Sequence, residues 1–101
     1  MARLRSDLVV AAILRRAQGA GATAVLRRRG AGEAGAIFIS VDHLNGQSDL
    51  YAPAPPRMNE DDDFARRFDV ILLAATSPEV NERMDREINF DTDLWWVEIE
   101  D

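Results

Sequence analysis

"DTDLWWVEIED" (residues 91–101) sets two adjacent tryptophans ahead of alternating apolar and acidic residues. A solvated acidic tail has no use for tryptophan, and a helix would splay the two indoles about 100° apart around one axis. A strand sends neighbours to opposite faces. Trp95, Val97 and Ile99 then share one face, and Trp96, Glu98 and Glu100 share the other. The chain is therefore built around a sheet, with Trp95 in its core. Trp96, in acidic company, is expected to be partly exposed and to serve association.

The clearest turn lies upstream, in "LNGQ" (residues 44–47). Asn-Gly between apolar segments favours a two-residue type I′ hairpin loop, because both residues tolerate positive φ. That loop predicts Leu44 opposite Gln47, Asp42 opposite Asp49, Val41 opposite Leu50 and Ser40 opposite Tyr51. Ile37, Ile39, Val41 and Leu50 would line one face, while Phe38, Tyr51 and the two aspartates would line the other.

The remaining elements follow from periodicity and caps. Ser6 suits a helix N-cap, Val9, Ile13 and Ala17 recur at helical spacing, and Gly19 and Gly21 stop the run. "TAVLRRR" (23–29) reads as a strand, and "GAGEAG" as the turn that leads into "AIFISVDHL". "FARRFDVILLAA" (64–75) fits either periodicity, and its β-branched pair Val70-Ile71 favours strand. Ser77-Pro78 reads as N-cap and first helical residue, followed by the stripe Val80, Met84 and Ile88. The predicted fold is α+β: one mostly antiparallel sheet of four to five strands with two helices, in the order α-β-β-β-β-α-β. Residues 1–101 are expected to form a single domain, large enough to hide roughly 65% of its unfolded surface.

With 47% hydrophobic and 30% charged residues the composition is globular, and a net charge of −6 opposes binding to polyanions. The absence of cysteine excludes disulfides, thiolate catalysis and Cys-type zinc sites, and fits a cytoplasmic protein. The start of the chain imitates a signal peptide, but Asp7, Arg15 and Arg16 interrupt the pattern and the apolar run 8–14 is too short to span a bilayer. No membrane association is expected.

Taken together, "MARLRSDLVVAAILRR", the hairpins leading to "LYAPAP" and the closing "FDTDLWWVEIED" resemble the domain-of-unknown-function family 1491, short proteins mostly of alphaproteobacteria. The resemblance spans essentially the whole chain. It implies a bacterial cytoplasmic domain and supplies no activity or catalytic residues.

Candidate sites are few. Asp42 and Asp49, opposed across the hairpin, would need an arginine, a cation or water between them. His43, the one histidine, would face Ser48 but has no oxyanion loop or nucleophile elbow beside it. Glu60 to Asp63 lacks the spacing of a calcium loop, and "PAPPR" more simply fixes chain direction than binds a partner. In "RRR", Arg27 and Arg29 share a face with Arg28 opposite, which thins the basic patch. Trp96, Phe38 and Tyr51 form the expected interaction surface, provided no helix covers them.

The leading functional reading is a small non-catalytic binding or assembly module, expected to need no metal or cofactor, associating as a homodimer or with a protein partner through the aromatic face or a strand edge. The alternatives are a metal-assisted hydrolase using Asp42, Asp49 and His43, and an RNA-associated accessory protein using the arginine strand.

Overall fold

The structure, a computed structural model, describes residues 4–55 and 66–101. Its elements are α1 (Ser6–Gly19), β1 (Thr23–Arg28), β2 (Ile37–Asp42), β3 (Ser48–Pro53), β4 (Phe68–Ala75), α2 (Ser77–Phe90) and β5 (Trp95–Glu100). The predicted order is the observed one, and the ambiguous segment is a strand from Phe68 onward. Phe64, the acidic run 60–63 and the end of "PAPPR" lie outside the described residues.

The five strands form one sheet in the order β1-β5-β2-β3-β4. β5 enters between β1 and β2, antiparallel to the first and parallel to the second, so the sheet is mixed. Parallel pairing requires a crossover, which β3, β4 and α2 supply before the chain returns as β5. Each face of the sheet receives one helix. Val10 of α1 packs with Ile37, Trp95 and Val97, while Val80 and Met84 of α2 pack with Phe38, Leu50, Leu94 and Trp96. β5 is thus an inner strand with a core on each side. Its tryptophans are adjacent because each fills a different core.

Trp95 is held by the glycine-rich loop. Its indole N–H donates to the Ala31 carbonyl at 2.8 Å, and its backbone N–H to Ala36 at 2.7 Å. Ala31 N–H in turn donates to the Asp93 carbonyl at 2.9 Å. The loop also receives the start of α1. Ser6 and Asp7 donate their backbone N–H groups to the carbonyls of Glu33 and Gly32, and the buried Ser6 hydroxyl donates to Gly35 at 2.6 Å. Ser6 is therefore the first helical residue and a tertiary tie, with Arg5 in the N-cap position. At α2 the cap is Thr76, one residue before the expected Ser77. Thr76 and Glu79 exchange hydrogen bonds in a capping box, and a Thr-x-x-Glu pair satisfies two orphan donors where Ser77 would satisfy one.

The hairpin differs from its predicted register by one residue. Ile39 pairs with Tyr51, Ser40 with Leu50, Val41 with Asp49 and Asp42 with Ser48. His43 N–H donates to Gln47, leaving Leu44, Asn45 and Gly46 as a three-residue loop. Side chains build it: Asp42 Oδ1 accepts from Leu44 N–H at 2.9 Å and Asn45 Oδ1 from Gln47 N–H at 3.0 Å. Positive φ falls on Leu44 and Gly46 (62° and 86°) instead of on Asn45 and Gly46. Gly46→Val is expected to cost about 1–2 kcal/mol, because a β-branched residue at that φ is strained while nothing crowds its Cβ. Chemical denaturation of the variant beside wild type measures it.

Candidate functional site

A one-residue slip turns every side chain of a strand to the other face. Here it takes Tyr51 out of the expected aromatic surface, and α2 covers the other two members. Phe38 and Trp96 are neighbours in the parallel register of β2 and β5, both on the α2 side. Both are only 6% exposed, within the core that α2 covers. Tyr51, half-buried and opposite Ile39, belongs to the other face. The expected exposure of Trp96 is therefore corrected: its indole N–H donates to Ser40 Oγ at 2.9 Å inside the protein. A strand with acids at alternate positions can still bury its aromatic when a helix reaches only that far.

The slip also separates the proposed catalytic groups. Asp42 lies opposite Ser48 on the α2 face, whereas Asp49 lies opposite Val41 on the α1 face. They do not converge, and among the described residues no three metal-ligating side chains do. His43 Nε2 sits 2.9 Å from Asp49 Oδ2, and Asp49 Oδ1 accepts from the Ala74 N–H at 2.8 Å. Ala74 has positive φ (53°) in an irregular part of β4. Asp49 therefore fastens the hairpin tip to β4, a structural task. Ser48, its neighbour in sequence, points away from His43 across the sheet, so no Ser-His dyad forms.

The Ala74 N–H, and then His43, hold the Asp49 carboxyl below the ordinary carboxylate range. A depressed folded-state value means that the stabilisation is complete above the unfolded value of about 3.9 and is lost as pH falls through the lower folded one. Asp49→Asn is expected to lower the melting temperature at pH 7 and to narrow its difference from wild type below about pH 4. Melting curves across the acid limb test this.

The arginine strand is likewise committed internally. The Arg27 guanidinium lies 4.1 Å from the centre of the Trp96 ring and pairs with Glu98. Arg28 donates to the Thr92 carbonyl at 2.9 Å, and Arg29 sits 5.2 Å from the Trp95 ring centre. Cation–π contacts, the Glu98 ion pair and the Thr92 carbonyl thus engage the three guanidinium groups that looked like a phosphate-binding patch.

Two surface features remain. β4 is an outer strand that pairs only with β3 among the described residues. It carries one charge, Asp69, and exposes Val70 (49%) and Leu73 (73%). The second is a polar notch of about 60 Å³ beside the first turns of α2, bordered by Arg27, Ser40, Ser48, Ser77, Asn81 and Glu98. Sequence reading missed it, although Ser40 and Ser48, polar residues in otherwise apolar strands, were the available signal. A larger cleft of about 360 Å³ opens among Ala36, Pro53, Pro55, Arg67 and Phe68. It adjoins the segment outside the described residues.

Comparison with known proteins agrees with this fold. The solution structure of protein Atu0922 from A. tumefaciens is 40% identical, with a TM-score of 0.87 over 98% of this chain and 86% of that one. The crystal structure of a DUF1491 family protein from Caulobacter crescentus CB15 is 32% identical, with a TM-score of 0.80 over 97% and 86% of the respective chains. An NMR structure of a DUF1491 family protein from the same organism is 33% identical, with a TM-score of 0.77 and the same coverage. No curated protein matches. The profile described as "Protein of unknown function (DUF1491)" matches residues 4–101, and the chain belongs to that family.

Proposed function

We propose that the 101 residues act as one non-catalytic assembly module, which forms a homodimer through the outer edge of β4. The observation that carries this reading is the contrast between the two sheet edges. β1 ends in Arg27 and Arg28, with Arg29 just beyond, and these would resist strand addition, whereas β4 offers exposed Val70 and Leu73 and a single acid. An antiparallel two-fold pairing is self-complementary and sets the two copies of Asp69 at opposite ends of the contact. The register shifts in β4 shorten the regular ladder, which favours a closed pair over an extended array.

A cytoplasmic setting accords with the cysteine-free composition. No helix among the described residues is long and apolar enough to cross a membrane. Sedimentation velocity over a range of concentrations tests the reading. Wild type is expected to self-associate, and Leu73→Lys, at an exposed position, to be a folded monomer. A wild type that stays monomeric throughout would overturn the homodimer and leave β4 to a different protein partner.

A further inference from the structure

Asn45-Gly46 does more than reverse the chain. Residues 43–47 at the hairpin tip are all exposed, and three features there bear on one reaction. The backbone N–H of Gly46 donates no hydrogen bond among the described residues. The carboxamide oxygen of Asn45 accepts the Gln47 N–H at 3.0 Å. At Gly46, with a φ of 86°, no atom comes within 4 Å of the place a Cβ would take.

Each feature has a chemical consequence. The Cγ of an asparagine is one five-membered ring away from the next backbone nitrogen, and an N–H engaged in a helix or ladder is not free to make that attack. The Gly46 nitrogen is free, and no side chain shields it. The Gln47 N–H polarises the Asn45 carboxamide and faces the oxygen on which negative charge develops as the ring closes. A fixed donor in that place lowers the barrier to acyl transfer. Solvent around the tip supplies the base that takes the Gly46 proton and the water that later opens the ring.

Asn81 and Asn89 are exposed too, so exposure alone does not set Asn45 apart. Both lie within α2, where the N–H that follows is bonded along the helix. Their successors are Glu82 and Phe90, whose side chains flank the attacking nitrogen. Asn59, which precedes Glu60, lies outside the described residues.

We propose that Asn45 is a site of spontaneous modification, a deamidation through a cyclic imide formed with Gly46. The Gly46 nitrogen gives its proton to solvent base and bonds to Asn45 Cγ, the Cγ–Nδ2 bond breaks, and ammonia leaves with a proton from water. Water then adds to either ring carbonyl and breaks that carbon's bond to nitrogen. Opening at one carbonyl gives aspartate. Opening at the other gives isoaspartate, in which the main chain runs through Cβ and Cγ and gains one carbon. Nothing is oxidised or reduced. Either product adds a negative charge to a tip that already holds Asp42 and Asp49, and isoaspartate lengthens the loop that the His43–Gln47 bond closes.

The test is peptide mapping by mass spectrometry on the full chain, held at mildly alkaline pH either native or unfolded in guanidinium chloride. Native Asn45 is expected to yield both aspartate and isoaspartate, with release of ammonia, at least as fast as in the unfolded chain. Asn81 and Asn89 are expected to react about tenfold or more slowly in the native protein than in the unfolded one, because they react only through local opening of α2. Gly46→Ala, strained at that φ but uncrowded, should slow the reaction at Asn45 roughly tenfold, since its Cβ flanks the attacking nitrogen. A native rate at Asn45 below the unfolded one, aspartate without isoaspartate, or an unchanged rate in folded Gly46→Ala would overturn the proposal. If Gly46→Ala does not fold, the native-against-unfolded comparison in wild type decides. None of these outcomes bears on the β4 edge, which Leu73→Lys tests separately.

Discussion

Trp96→Ala is expected to destabilise the fold by roughly 3–5 kcal/mol, as much as Trp95→Ala, and not merely to weaken association. Trp96 is in the α2 core with Phe38, Leu50 and Met84, and its N–H is matched by Ser40. Truncation would leave a cavity in that core, strand Ser40 Oγ without its donor and remove the ring beneath Arg27. Trp95→Ala empties the opposite core and frees the Ala31 carbonyl from its indole. Urea unfolding of both variants, with light scattering at the same concentrations, separates the possibilities. A Trp96→Ala protein as stable as wild type but altered in association would show that the ring is not a core element. Comparable losses would confirm two cores supported by one strand.

Gly30→Ala is expected to be the most damaging single-methyl change in the chain, at about 1–3 kcal/mol or more. A Cβ at Gly30 would lie 2.2 Å from the Asp93 carbonyl oxygen and 2.5 Å from the Leu94 carbonyl carbon. Both are backbone atoms just ahead of β5, and they cannot swing aside as a flexible side chain could. Moving them displaces the Ala31–Asp93 hydrogen bond and, through Ala31, the seat of Trp95. Gly19→Ala is the control, since no atom lies within 4 Å of its added Cβ. It is expected to be neutral or slightly stabilising, because alanine is the better helix former. Equal stability of Gly30→Ala and Gly19→Ala in thermal melts would refute the close approach of this loop to β5.

The glycines of "GAGEAG" thus have two meanings, and only one of them was legible in the sequence. Read locally, they mark a turn between two strands, as the structure bears out. The need of Gly30 and Gly35 for close backbone approach arises from residues 93–95, far along the chain, and no local pattern announces it. The hairpin teaches the same lesson at shorter range. Asn45-Gly46 correctly located the reversal. The loop length was set by Asp42 and Asn45 accepting backbone N–H groups and by Leu44 adopting a left-handed conformation. One extra loop residue then moved Asp49, Ser48 and Tyr51 to the faces opposite those expected, and with them every candidate site on the hairpin.

What the sequence alone determined is the list of elements, their order and the strand character of "DLWWVEIE". Those depend on period-two alternation, caps and turn residues, which act over a few positions. What the tertiary structure decided is where β5 enters the sheet and which rows each helix covers. With β5 between β1 and β2, its alternation of apolar and acidic residues no longer separates core from solvent. α2 reaches far enough to bury Trp96 and stops short of Glu98 and Glu100, which stay partly exposed on the same face. Burial of a strand residue depends on how far the covering helix extends along it, and that is a long-range property absent from the strand's own sequence.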